Sequence, residues 1–121
     1  MKTVSFEGKT YKVYQVKCFG ATYNIFLRPR SYTDGTLAVE ALEIDSDLDP
    51  ASVEPFAVLT SNLCSPLQSD REAFLKTYSE NSWVPDFVLN NGICEYTGIV
   101  QPSGYCTFPL ARFDFSKMMV Q

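Results

Sequence analysis

The stretch 72–98, EAFLKTYSENSWVPDFVLNNGICEYTG, constrains the fold most, because it reads as a strand, a helix and a second strand in close succession. Residues 73–78 are β-like, and residues 93–97 resume the β pattern after a polar stop. Between them we predict one helix over about residues 80–91. A helix between two strands buries its apolar stripe most simply against a sheet, so this stretch predicts an α+β fold.

The boundaries of this helix follow from a few residues. We predict Ser79 as the N-cap that satisfies the first backbone donors. Pro85 falls in the first turn, where a missing N–H is tolerated. Asn91-Gly92 supplies the left-handed residue of a C-cap. The apolar residues at helical spacing, which should face a sheet, are Trp83, Phe87 and Val88.

The rest of the chain is dominated by alternating, strand-like patterns. A hairpin is predicted at Gly8, and Pro29 should end its strand or place it at a sheet edge. Residues 36–44 suit a helix or a strand, and we prefer a strand. The predicted strands are residues 3–6, 10–17, 22–28, 36–44, 55–63, 73–78, 93–97 and 105–113.

Together these elements predict one domain over residues 1–121, as expected for this length. The predicted architecture is a mostly antiparallel, twisted sheet of six to eight strands, with the main helix packed on one face. Within the strand at 55–63, we expect Phe56, Val58 and Leu59 to be buried. The tail from residue 114 onwards is expected to fray.

The composition weighs against several function classes. The sequence has no histidine, which removes the commonest general base and the commonest zinc ligand. It lacks nucleotide-binding glycine motifs and recognisable catalytic acid pairs, so we predict a protein that is not an enzyme and needs no metal or cofactor. No apolar run is long enough for a membrane, and the N-terminus lacks a signal-peptide pattern, so we expect a cytoplasmic protein.

The four cysteines lack metal-ligand spacing and should be reduced in the cytosol. Cys94 and Cys106 bracket the closing hairpin, and they would face each other if its loop were centred near Val100. A cross-strand disulfide would then be allowed by geometry. Two reduced thiols are the preferred interpretation.

Charge is unevenly distributed although the net charge is only −4. Residues 31–70 carry eight acidic side chains and no basic one, whereas residues 1–30 carry six basic side chains and one acidic. The acidic segment predicts contact with a protein partner that is itself basic or binds nucleic acid. The predicted partner-binding residues are Asp45, Asp47, Asp49 and Glu54. A calcium loop is not predicted, since Pro50 replaces its glycine and Phe56 its glutamate.

Two further groups of residues are candidate contacts. Hydroxyl, carboxylate and amide groups gather where the predicted helix begins, a place suited to an anion or a partner. These residues are Tyr78, Ser79, Glu80 and Asn81. The alternative hypothesis is single-stranded nucleic-acid binding by the basic N-terminal third, with aromatic stacking. Its candidate contacts are Lys9, Lys12, Lys17, Arg28 and Arg30.

The chain carries several short segments in this order: FAVLTSNL, AFLKTYSEN, NGI, TG, SGY and FPLAR. Their order resembles that in the domain-of-unknown-function 4313 family. The resemblance covers roughly residues 37–112, and its most specific part is Tyr-Ser-Glu-Asn at 78–81. The resemblance implies no reaction but implies a bacterial, phage or plasmid setting. By analogy with small acidic proteins of such elements, it implies an inhibitor of host defence, for example an anti-CRISPR protein.

Overall fold

The computed structural model describes residues 2–120, which form ten strands, one α-helix and three short 3-10 turns. The predicted α+β class is confirmed. The helix α1 is Val84–Asn90, and the 3-10 turns are Pro50–Ser52, Ser79–Asn81 and Phe115–Lys117. The strands are β1 Thr3–Phe6, β2 Lys9–Lys12, β3 Tyr14–Cys18, β4 Ala21–Ser31, β5 Leu37–Ile44, β6 Glu54–Val58, β7 Thr60–Ser61, β8 Glu72–Leu75, β9 Cys94–Ser103 and β10 Cys106–Phe113.

The predicted single sheet was wrong, because these strands form three antiparallel sheets. The hairpin β1-β2 stands alone, a four-stranded sheet has the order β3-β4-β5-β6, and a second has the order β7-β8-β10-β9. The β3-β4-β5-β6 sheet has apolar side chains on both faces. Ile25 and Leu27 of β4 enter the main core with α1 and the second sheet, whereas Phe26 enters a smaller core under the β1-β2 hairpin. Alternation along β4 therefore holds the three layers together.

Two predicted strands are each divided where the chain passes from one sheet to another. The predicted strand 10–17 breaks at Val13, and 55–63 breaks at Leu59. Leu59 is fully buried, donates its N–H to the carbonyl of Val39 at 2.9 Å and accepts from the N–H of Lys76 at 2.8 Å. It thus joins the two four-stranded sheets. The prediction that Val58 is buried was wrong, because Val58 is 49% exposed beside this break.

Pro29 neither ends its strand nor lies in an outer strand, since β4 continues to Ser31 between β3 and β5. The register explains this. Strand β3 pairs only with residues 21–25, so at Pro29 the chain is paired on one side alone, with Val39. The local environment is therefore that of an edge, where the missing N–H is tolerated.

The predicted N-cap was wrong. Ser79 has a φ of +58° and opens a separate 3-10 turn, and α1 begins only at Val84 and has seven residues. The position of Pro85 in the first helical turn is confirmed, as is the left-handed Gly92 after the helix, with φ +65°. The predicted apolar face is also confirmed, because Phe87 and Val88 are buried and Trp83 packs against the same core.

The closing hairpin is longer than predicted. Its strands continue through the predicted loop at 98–104 and turn only at Gly104-Tyr105. In this register Cys94 lies opposite Phe113, and Cys106 lies opposite Ser103 at the other end of the hairpin. A disulfide between the two cysteines is therefore excluded in this fold, and both thiols are free.

We expect the thiols to differ sharply in reactivity. Burial raises the pKa of the Cys94 thiol to about 12, so almost no thiolate forms at neutral pH, whereas Cys64 is exposed. Titration of the native protein with Ellman's reagent should modify Cys64 promptly and leave Cys94 unmodified until the protein unfolds. Cys94→Ala provides the control, because its rapid phase should be unchanged. Rapid loss of the Cys94 thiol in the folded protein would contradict the burial.

The predicted fraying of the tail was wrong for residues 114–120; Gln121 lies outside the described residues. Met118 is fully buried, and Met119 forms a bridge with Tyr11. The N–H of Val120 donates to the carbonyl of Thr10 at 2.9 Å. The tail therefore covers the outer edge of β2. No helix within residues 2–120 has the length and apolar character that crossing a membrane requires.

Candidate functional site

The predicted acidic contact residues lie at one end of the β3-β4-β5-β6 sheet, but two of them also build their own loop. The Asp45 carboxylate accepts from the Asp49 N–H at 3.0 Å, and the Asp49 carboxylate accepts from the Ala51 N–H at 2.9 Å. Asp49 thereby caps the 3-10 turn Pro50–Ser52. These two aspartates hold the loop in shape while remaining exposed to solvent.

Glu54 has a neighbour that sequence reasoning missed. It lies directly opposite Glu43 in the register of β5 and β6. Glu43, Glu54 and the three loop aspartates make no ion pair with any residue in 2–120. We call these five side chains the acidic patch: Glu43, Asp45, Asp47, Asp49 and Glu54. The pairing of Glu43 with Glu54 depends on the strand register, which a bulge in β6 sets and which the sequence pattern does not reveal.

The structure brings together only part of the predicted basic group. Lys9, Arg28 and Arg30 line one depression of about 350 Å³ with Tyr11. Arg28 is already neutralised, since its guanidinium lies 2.7 Å from the Glu7 carboxylate and 2.6 Å from that of Glu40. The two remaining residues lie apart: Lys12 points to the other face of β2 from Lys9, and Lys17 borders the β3-β4 turn.

The residues 78–81 serve largely structural roles. Asn81 is buried, and its side-chain amide donates to the carbonyls of Val58 at 2.7 Å and Lys76 at 3.3 Å. The Glu80 carboxylate pairs with the Lys76 ammonium at 3.0 Å. Hydrogen bonds from its own backbone N–H, from Ser79 and from Lys76 lower the pKa of Glu80 to about 2.

The reason for predicting an anion contact at residues 78–81 does not hold. The helix that was to supply free N–H donors begins at Val84, beyond these residues. The exposed ring of Tyr78 packs edge-on against Phe108, with ring centroids 5.7 Å apart. Of the four residues, Tyr78, Ser79 and Glu80 remain accessible at the surface, and Asn81 is enclosed.

An aromatic groove next to Asn81 was not predicted. It has a volume of about 270 Å³, and Lys76, Glu80 and Asn81 also border it. The rings of Phe56 and Trp83 lie 5.5 Å apart, and the buried Trp83 Nε1–H has no acceptor within residues 2–120. We define the aromatic groove by Phe19, Phe56, Val58 and Trp83. The sequence marks Phe19-Gly20 as a turn but gives no sign that this turn meets Trp83.

No group of three or more Cys, Asp or Glu side chains in the described part of the chain is arranged to hold a metal ion.

Residues 30–120 match the family described as Domain of unknown function (DUF4313). The chain belongs to this family. The resemblance over residues 37–112 is thereby confirmed, and the match extends to both sides. No curated protein and no solved structure matches the chain. The match to DUF4313 includes the acidic patch and residues 78–81, but it begins inside β4, so that Phe19 and the predicted basic residues Lys9, Lys12, Lys17 and Arg28 lie outside it.

Proposed function

We propose that this DUF4313 protein is a non-enzymatic binding protein that contacts a basic protein surface through its acidic patch. The observation that carries the proposal is the pairing of Glu43 with Glu54. Like charges directly opposite each other in neighbouring strands destabilise a sheet. Both side chains are at least partly accessible, and no basic group in residues 2–120 forms an ion pair with either of them.

A basic partner would relieve this repulsion, and charge complementarity of this kind favours both rapid association and correct orientation. The three aspartates extend the negative field beyond the two glutamates. Asp45 and Asp49 are fixed by hydrogen bonds to the backbone of their own loop, so less conformational entropy is lost when a partner binds.

A protein partner is favoured over nucleic acid by the same charges, because phosphate groups would be repelled by the patch. Proteins that bind nucleic acid carry basic surfaces, so they form one suitable partner class. The bacterial or mobile-element setting, the cytoplasmic location and the inhibition of a host defence system remain predictions from the sequence and its resemblance. They agree with an acidic protein that masks a basic surface.

We expect Glu54→Lys to stabilise the fold and to weaken partner capture at the same time. The lysine replaces a repulsive cross-strand pair with an attractive one, which should add up to about 1 kcal/mol to the free energy of unfolding. Urea unfolding measures the first effect. Affinity capture from a bacterial lysate at low and at 0.5 M salt measures the second effect. High salt screens the charges of the acidic patch, so it should weaken capture by wild type as the substitution does.

Asp70→Lys is the matched control, since it makes the same change of charge at an exposed acid outside the patch. The proteins retained by wild type should be retained by Asp70→Lys and lost with the double variant Glu43→Lys/Glu54→Lys. Undiminished capture by the double variant at low salt would reject the acidic patch as the binding surface.

The alternative function is binding of single-stranded nucleic acid at the depression lined by Lys9, Arg28 and Arg30. Its support is the nearness of Lys9 and Arg30 to Tyr11, since Arg28 is already paired with two carboxylates. Fluorescence anisotropy with a labelled oligonucleotide decides between the two. Binding that falls with salt and is lost in Lys9→Glu/Arg30→Glu would favour the alternative over the acidic patch.

A further inference from the structure

We propose that Asn91, at the C-terminal end of α1, is a site of spontaneous deamidation that the folded chain protects. Opening of the last turn of α1 permits the reaction, and the acidic product then weakens the same turn. The proposal does not depend on the acidic patch. The evidence is the residue that follows Asn91, the backbone conformation at this position and two hydrogen bonds of the reacting groups.

The first observation is that a glycine follows Asn91. Asparagine deamidates when the backbone nitrogen of the next residue attacks the side-chain carbonyl carbon, Cγ, and a side chain on that next residue hinders the attack. Glycine has no Cβ and therefore offers the least hindrance. The chain has five asparagines, and only Asn91 precedes a glycine; the others are Asn24, Asn62, Asn81 and Asn90.

The reaction at this position takes only water as a co-reactant. The nitrogen of Gly92 loses its proton and forms a bond to Cγ of Asn91, while the bond from Cγ to Nδ2 breaks and ammonia leaves with that proton. Water then opens the resulting cyclic imide at either of its carbonyls. One opening gives aspartate. The other gives isoaspartate, in which the backbone runs through the former side chain and is one methylene longer.

The folded conformation holds the two reacting groups apart. Asn91 has a ψ of 2°, so the nitrogen of Gly92 eclipses the backbone nitrogen of Asn91 instead of lying beside its Cβ, where ring closure needs it. The Gly92 N–H also donates to the carbonyl of Leu89 at 3.2 Å, and the Asn91 side-chain amide donates to the carbonyl of Phe87 at 2.8 Å. Both hydrogen bonds must break before the imide forms, so opening of this turn limits deamidation of the folded protein.

This end of α1 is suited to local opening. The helix has only seven residues, and a helix of that length is not stable without tertiary packing. Residues 89–92 are all exposed, so the last turn loses few apolar contacts when it opens. Val88 and Ile93 on either side are fully buried. Opening that leaves the core in place is therefore confined to residues 89–92.

Either product weakens the end of the helix. Aspartate replaces the Nδ2 donor with a carboxylate oxygen, which faces the Phe87 carbonyl and the negative end of the helix dipole. Isoaspartate lengthens the backbone just before Gly92, whose φ of +65° ends the helix and directs Ile93 back to the core. A deamidated chain therefore opens more readily at this turn than the original chain.

Peptide mapping by mass spectrometry measures the reaction. The full-length protein is kept at mildly alkaline pH, both in buffer and in urea above the unfolding midpoint. In urea, Asn91 should be the first of the five asparagines to deamidate. In buffer its rate should be lower by about tenfold or more, because the turn must first open. Equal rates in buffer and urea would overturn the proposal, as would faster deamidation of another asparagine in urea.

Leu89→Gly tests the role of opening. Glycine weakens the last turn of the helix without changing either reacting residue. The rate at Asn91 in buffer should rise severalfold in this variant, whereas the rate in urea should equal that of wild type. An unchanged rate in buffer would contradict control of the reaction by this turn.

Asn91→Asp reproduces one of the two products. Asn90→Asp is the matched control, because it places the same charge on an exposed neighbour in the last turn of α1. Asn91→Asp should lower the melting temperature by about 4 °C more than Asn90→Asp does, as expected for the loss of one hydrogen bond. Equal melting temperatures of the two variants would overturn the proposal that deamidation weakens this turn.

Discussion

A fragment of residues 30–121, close to the segment that matches the family, is expected not to fold. The cut divides β4 and removes the β1-β2 hairpin and β3. Eight of the 27 buried apolar residues within 2–120 are lost with it. They are Val4, Tyr11, Val13, Tyr14, Val16, Ile25, Phe26 and Leu27. Since truncating one large buried side chain costs about 2–5 kcal/mol, and a domain has about 5–15 kcal/mol in total, the fragment cannot retain a stable core.

Circular dichroism and a ¹H–¹⁵N spectrum of the fragment measure this directly, with the full-length protein in parallel. We expect no cooperative thermal transition and poor dispersion of amide signals. Phe26→Ala in the full chain is the graded control and should lose about 3–5 kcal/mol while remaining cooperative at low temperature. A cooperative transition in the fragment would show that the first four strands are dispensable for the core.

Replacing Asn81 with alanine is expected to cost about 1–3 kcal/mol of unfolding free energy. Its side-chain amide donates to the carbonyl of Val58, at the end of β6, and to the carbonyl of Lys76. Alanine leaves both acceptors without this donor. Urea denaturation measures the loss. Asn90→Ala is the control, because Asn90 is exposed at the end of α1 and should change stability by less than about 0.5 kcal/mol. Equal effects of the two substitutions would contradict the assigned role of Asn81.

Asn81→Asp adds a test by pH. An ionised carboxylate would face two carbonyl oxygens in a buried place, so the folded-state pKa of the new acid should lie above its unfolded value. The proton therefore binds more tightly to the folded state than to the unfolded state. The variant should therefore be most destabilised above the folded-state pKa and recover stability relative to wild type as the pH falls towards the unfolded value. A deficit independent of pH would mean that the side chain has moved into solvent.

Local patterns predicted the elements of this fold more successfully than their connections. The alternating pattern of residues 22–28 is typical of a strand with Ile25 and Leu27 on one face and Phe26 on the other, and these residues do enter different cores. Pro85 and Gly92 marked helix positions correctly because their backbone restrictions are intrinsic. The breaks at Val13 and Leu59 were not predictable, because the strand pattern continues across both residues. Only the tertiary packing shows that each predicted strand is divided between two sheets.

For the candidate sites too, local patterns were informative and tertiary contacts were not predictable. The acidic segment was visible as charge, but the pairing of Glu43 with Glu54 depends on a strand register that the local sequence pattern does not reveal. Phe19-Gly20 is typical of a turn between the strand patterns at 10–17 and 22–28, yet its position beside Trp83 depends on how distant segments pack. Ser79 does not cap the helix as predicted. The amide of Asn81 donates to two backbone carbonyls of the sheets, and these tertiary hydrogen bonds outweigh the capping propensity of Ser79.

The contact of the tail with β2 has a consequence for synthesis of the chain. Strand β2 leaves the ribosome before β3 to β10, whereas its neighbours on one side, Met118 and Val120, emerge after all of these strands. While β3 to β10 are being synthesised, that side of β2 exposes unpaired backbone groups, which can template association with another nascent chain. This contact closes only after residues 118–120 have emerged, so a chaperone that shields β2 should raise the yield of native protein.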